Sequence, residues 1–106
     1  MISQRLKDFS AIVASAVPTS YHYFRSQKTY PCAIWQEDSA ELFRADNQAD
    51  EIRMSGTLDY FTREEFDTAI DDLISAFTGN GVHWSIESIQ FEEETNLIHY
   101  EFGWRY

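Results

Sequence analysis

The chain predicts an α+β domain, an antiparallel sheet of four to five strands with two helices packed on one face, in the order α-β-β-β-α-β-β. Three observations carry that expectation. Ile52, Met54, Gly56, Leu58 and Tyr60 alternate with Arg53, Ser55, Thr57 and Asp59, the period-two signature of a strand with one buried face. The period then becomes 3.6, and Phe66, Ala69, Ile70, Leu73 and Phe77 form one apolar stripe. At the C-terminal end Ile98, Tyr100, Phe102, Trp104 and Tyr106 alternate with His99, Glu101 and Arg105. The 106 residues, 16% of them aromatic, make a single domain, 1–106. A chain of this length buries roughly two thirds of the surface its unfolded form exposes.

The first helix is expected over about Ser3 to Ala16. Ile2, Leu6, Phe9, Val13 and Val17 recur at helical spacing, and Pro18 ends the run. Tyr21–Ser26 reads as a short aromatic strand and Tyr30–Glu37 as the next, with Pro31 at an edge or a strand start. Asp38–Glu51 shows no clear period and is expected to be a long loop, in which Leu42 and Phe43 have no evident core face. After the strand from Ile52, Thr62 and Glu65 stand where a capping box would start the second helix, and Phe61 and Phe66 where a hydrophobic staple would set its angle. On that reading Phe66 is buried, and Phe66→Ala destabilises by about 3–5 kcal/mol. Gly79 stops the helix. Val82–Glu92 and Leu97–Tyr106 form a hairpin closed by Glu93-Glu94-Thr95-Asn96. In its first strand Trp84 and Ile86 fall on one phase and Ile89 and Phe91 on the other, which predicts a β-bulge or bend near Ser88.

Charge narrows the function. The net charge is −10, from 8 basic and 18 acidic residues, and it is unevenly spread. Through Lys28 the balance is +3; from Thr29 onward it is −13. Such a surface repels phosphate, which disfavours sequence reading of nucleic acid. It suits a solvated face, an imitation of DNA, or a channel past which DNA slides without adhering. The lone Cys32 lies in an apolar stretch and reads as a buried structural thiol, in keeping with a reducing compartment. No targeting or membrane-spanning segment is recognisable, so the expectation is a soluble chain made inside the cell.

The residues that carry chemistry do not assemble into a catalytic motif, so the chain is not expected to be an enzyme and no cofactor is expected. His83 and Glu87, four apart in a strand, share a face about 13 Å from one another. His83 and His99 are placed to face each other across the last hairpin, but without a recognised metal-ligand pattern they read as surface histidines. Glu92, Glu93 and Glu94 alternate faces and read as a solvated hairpin tip. Asp46-Asn47-Gln48-Ala49-Asp50 lacks the glycine and closing glutamate of a calcium loop. Asp67, Asp71 and Asp72 are expected on the outer face of the second helix, where they would suit a basic partner.

Ala45-Asp46-Asn47, then Gly56-Thr57-Leu58-Asp59-Tyr60-Phe61-Thr62 and an amphipathic helix, together with Leu97-Ile98-His99-Tyr100-Glu101-Phe102 and Gly103-Trp104-Arg105-Tyr106, resemble the tail-terminator, or head–tail joining, proteins of long-tailed bacteriophages and prophages. That resemblance spans the chain as a pattern. It implies a structural virion protein whose copies form a ring, usually of six, that caps the tail tube and meets the head connector while DNA passes through without specific binding. Candidate subunit or partner contacts on this reading are Leu42, Phe43, Asp46, Asn47, Glu92, Glu93 and Glu94. The alternative is a small acidic DNA mimic that binds a host nucleic-acid-binding protein.

Overall fold

The computed structural model describes residues 2–24, 29–45 and 48–106, with side chains outside 43–50. In chain order the elements are α1 (Ile2–Ala16), β1 (Ser20–His22), β2 (Cys32–Ala45), β3 (Gln48–Thr62), α2 (Ala69–Gly79), β4 (His83–Glu92) and β5 (Leu97–Arg105). This is the expected α-β-β-β-α-β-β order. The strands form one sheet in the order β1-β2-β3-β5-β4, antiparallel throughout except that β1 runs parallel to β2. No helix among the described residues is long and apolar enough to cross a membrane.

Both helices pack on one face. Phe9 of α1 is fully buried and stacks on Trp104 at 3.9 Å, meets Trp35 edge-on at 5.0 Å, and lies 5.9 Å from Phe77 of α2. Phe77 in turn meets Phe102 edge-on at 6.2 Å. Around this aromatic centre Val13, Met54, Leu58, Tyr60 and Leu73 are almost completely buried, joined by Val17 and Val82. Aromatic rings bury large areas apiece, so a chain this small builds its core from few residues. Trp104 also satisfies its indole N–H, donating to the Thr57 carbonyl at 2.9 Å. Cys32 is buried, as expected of a structural thiol.

Several boundaries differ from the expectation. The segment 38–51 is not a loop. Its described residues continue β2 and open β3, paired from Ser39–Ser55 through Ala45–Gln48. Register shifts at Asp38 and Asp50 each add an unpaired residue, and two bulges this close erase the alternation that marks a strand. The strand β1 ends at His22, where Tyr23 takes a positive φ of 72° and Phe24 bonds back to the His22 carbonyl. Arg25 and Ser26, placed in that strand by the sequence, lie outside the described residues.

The start of α2 is the largest correction. Thr62 ends β3, buried, and its hydroxyl accepts the Glu64 N–H at 3.1 Å; it does not cap a helix. Phe66 has φ +60° and is 87% exposed, so it is neither a staple nor part of the core stripe. A left-handed residue interrupts helical propagation, and α2 begins three residues later. Asp67 supplies the start signal: its carboxylate accepts the Ala69 N–H at 2.9 Å and the Tyr60 hydroxyl at 2.6 Å. It therefore turns inward ahead of the helix, while Asp71 and Asp72 stay exposed in the first turn, favourably placed at the positive end of the helix dipole.

Candidate functional site

Two features of the sheet stand apart from the core. The first is a two-stranded arm. Strand β5 accompanies β3 only as far as Ser55–Arg105, closed by paired backbone bonds of 2.8 Å between Met54 and Tyr106. Beyond that point β2 and β3 continue together from Glu41–Arg53 to Ala45–Gln48, five residue pairs that span about 15 Å at ordinary strand rise. The longest dimension of the molecule is 54 Å, against 25 and 21 Å for the others. At the base of the arm Arg5 of α1 lies over the Tyr106 ring at 4.2 Å and reaches Glu51 at 3.9 Å, while Arg53 reaches the same carboxylate at 3.5 Å. One basic side chain of the N-terminal region is thus engaged within its own chain.

The second is the edge strand β4. The register shift at Glu87 inserts one extra residue between Ile86–Phe102 and Ser88–Glu101. A bulge of this kind was expected near Ser88. Its consequence is that Trp84 and Ile86, paired with Trp104 and Phe102, share a face with Ile89 and Phe91, paired with Tyr100 and Ile98. The sequence phase placed the two pairs on opposite faces; the bulge brings all four onto the helix side of the sheet. The helices cover them only in part: Trp84 donates its indole N–H to Thr78 of α2 at 3.2 Å, and the four are 37, 39, 58 and 59% exposed in chain order. Ile89 and Phe91 border an open groove with Arg63, Glu65 and Ile98.

The predicted contacts divide between these features. Leu42 lies on the arm opposite Ile52 and is 44% exposed. The backbone of Phe43 pairs with Glu51, and its side chain is not among those described. Asp46 and Asn47 lie outside the described residues. Glu92 ends β4 opposite Leu97, and the exposed Glu93 and Glu94 follow in the turn, where Thr95 bonds the Glu92 carboxylate at 3.2 Å. The registers put arm and turn at opposite ends of the sheet. The His83–Arg105 pairing marks the arm end and Phe91–Ile98 the turn end. The described residues among the seven therefore fall on two separate surfaces.

Two of the three histidines, His22 and His99, are held by carboxylates, each in its own place. His83 pairs with Arg105 and His99 with Gln90 in the β4–β5 register, so the two do not face each other. His99 lies 2.7 Å from Asp59 and stacks on Phe61 at 4.4 Å. His22 lies 2.7 Å from Glu37, between the rings of Tyr23 at 3.9 Å and Trp35 at 4.0 Å. Partial burial pushes the Glu37 carboxyl up, but hydrogen bonds from His22 and Tyr23 outweigh it and leave it below its usual value. This pair fastens the three-residue strand β1 to β2. Among the described residues no three His, Cys, Asp or Glu side chains converge as metal ligands would.

No family model matches the chain, and no curated protein does. The arm and the β4 face are the two exposed features that the sheet adds to its core. Exposed carboxylates lie at the β4–β5 turn, and a paired backbone ribbon projects from the opposite end.

Proposed function

We propose that this protein is a structural subunit of a phage or prophage tail, a tail terminator whose copies form a ring, six in number, on the end of the tail tube. The ring would meet the head connector on its other side, and the protein would reside in the virion at the head–tail junction. The observation that carries this reading is the β2–β3 arm. A two-stranded ribbon is at best marginally stable by itself, and one that leaves its sheet by five residue pairs gains stability by lying on a neighbour. The acidic balance of −13 from Thr29 onward also favours a ring that DNA traverses without adhering. The sequence resemblance is what points to a tail tube as the structure that the ring caps.

Purified protein, alone and mixed with terminator-less tail tubes, tests the reading by light scattering and electron microscopy. The expected result is rings, or a cap at one end of each tube. Protein that neither forms rings nor binds tubes overturns it, and capture of a host DNA-binding protein in its place would point to DNA mimicry.

A further inference from the structure

We infer that β4 pairs antiparallel with β4 of a second copy of this chain, about a two-fold axis between Glu87 and Ser88. This contact goes beyond the ring. A two-fold contact closes at two copies, whereas a ring needs a head-to-tail contact between different surfaces.

The strand is open to such a partner. Among the described residues it forms one edge of the sheet, its strand pairing being with β5 only, and nine of its ten residues are exposed. A long edge strand with apolar side chains is a template for another strand unless something covers or blocks it. Here no proline or lysine interrupts His83–Glu92, and the bulge, a feature that can turn an edge away from partners, sits at the centre of the strand.

The occupant follows from the strand's own order of residues. Turned end for end about its centre, β4 matches itself in kind. His83 falls opposite Glu92 of the second copy, Trp84 opposite Phe91, Ser85 opposite Gln90, Ile86 opposite Ile89, and Glu87 opposite Ser88. Each match occurs twice. Aromatic and aliphatic cross-strand pairs are among the combinations that stabilise antiparallel strands.

The bulge makes this register possible. An unbulged strand of ten residues would place Trp84 and Phe91 on opposite faces, and the two apolar halves could not meet. Because Glu87 is the extra residue and lies at the centre of the repeat, Trp84, Ile86, Ile89 and Phe91 all lie on one face. The four side chains expose on the order of 400 Å² of apolar surface per copy. Strand pairing covers the part of that surface that lies toward the axis, through the lateral Trp84–Phe91 and Ile86–Ile89 contacts.

The experiment measures mass in solution on the full chain. Wild type is expected at twice 12.4 kDa. Ile89→Lys, at a side chain already 58% exposed in the single copy, is expected to return the mass to 12.4 kDa with an unchanged circular dichroism spectrum. The register is tested by S85C together with Q90C. Under mild oxidation the double variant is expected to give a covalent dimer that neither single variant gives. A monomeric wild type, or a dimer that the double variant does not cross-link, overturns the pairing. Capping of tail tubes is read separately, so a failed cap leaves this result standing and a failed dimer leaves the cap standing.

Discussion

The hairpins β2–β3 and β4–β5 are built with the same device and differ in how much of it shows in the sequence. Each carries acidic residues as the extra members of bulges: Asp38 and Asp50 in the first, Glu87 in the second. In β4 the bulge separates two clean alternations, Trp84/Ile86 and Ile89/Phe91, so a break in phase is itself the signal. In β2–β3 the flanking residues are Ser39, Ala40 and Glu41, and the apolar pair Leu42 and Phe43 is adjacent instead of alternating. A bulge is legible when hydrophobic side chains mark the phase on both sides. Where the strand leaves the core, nothing requires that mark.

The comparison also divides the molecule energetically. Where the two hairpins lie side by side under the helices, they share one core. Phe102 of β5 is fully buried, 6.2 Å from Phe77 and 6.5 Å from Trp84. Phe102→Ala is expected to cost about 3–5 kcal/mol in denaturant unfolding, the largest effect predicted here. A loss below about 1 kcal/mol would separate the hairpins into independent units.

Gly56 marks the point where the arm departs. It pairs with Glu37, beside the Asp38 bulge. A Cβ there would stand 1.9 Å from the Gln36 carbonyl oxygen and 2.8 Å from the Trp104 ring. Backbone and a packed indole leave no easy path for relief, so Gly56→Ala should destabilise by about 1–3 kcal/mol. An unchanged unfolding midpoint would mean that the strands at the base of the arm separate freely.

The alternation of β3 and β5 and the stripe of α1 were legible because burial enforces their periods. The start of α2 was not. Two start signals compete there, Thr62 with Glu65 and Asp67 just before Ala69, and their local patterns are comparable. The second prevails through a tertiary contact, the Tyr60 hydroxyl on Asp67, which links residues of the core sheet and the helix entrance. Phe66 is left outside, and Phe66→Ala should cost less than about 0.5 kcal/mol, as surface changes do. The candidate contacts were legible as polar or unpatterned segments, but their division between opposite ends of the sheet depends on strand order, which periodicity does not encode.

The Asp67 contact has a pH signature. Burial raises the Asp67 carboxyl, but the hydrogen bonds from Tyr60 and the Ala69 N–H outweigh it, so its pKa is lowered in the folded chain; Glu37 is lowered in the same sense. A lowered folded-state value contributes stability that is full above the unfolded pKa, about 4 for Asp. That contribution is lost as pH falls through the folded value. Thermal melts from neutral pH into acid should therefore show a fall in midpoint that begins near the unfolded value, and Asp67→Asn should flatten part of it. An equally steep fall in the variant would assign the acid sensitivity to other carboxylates.

The smallest effect on stability is expected on the arm, and it separates stability from assembly. Leu42 is 44% exposed opposite Ile52, beyond the reach of β5, so Leu42→Ser should change the unfolding free energy by less than about 0.5 kcal/mol. On the proposed function, the same change removes an apolar contact to the neighbouring subunit and should reduce capping of tail tubes. Because the arm and β4 lie at different places in the sheet, Leu42→Ser should leave the two-copy mass in solution untouched, while Ile89→Lys removes it. A Leu42→Ser protein that unfolds much earlier would show that the ribbon belongs to the folded core, and one that caps tubes normally would take Leu42 out of the subunit contact.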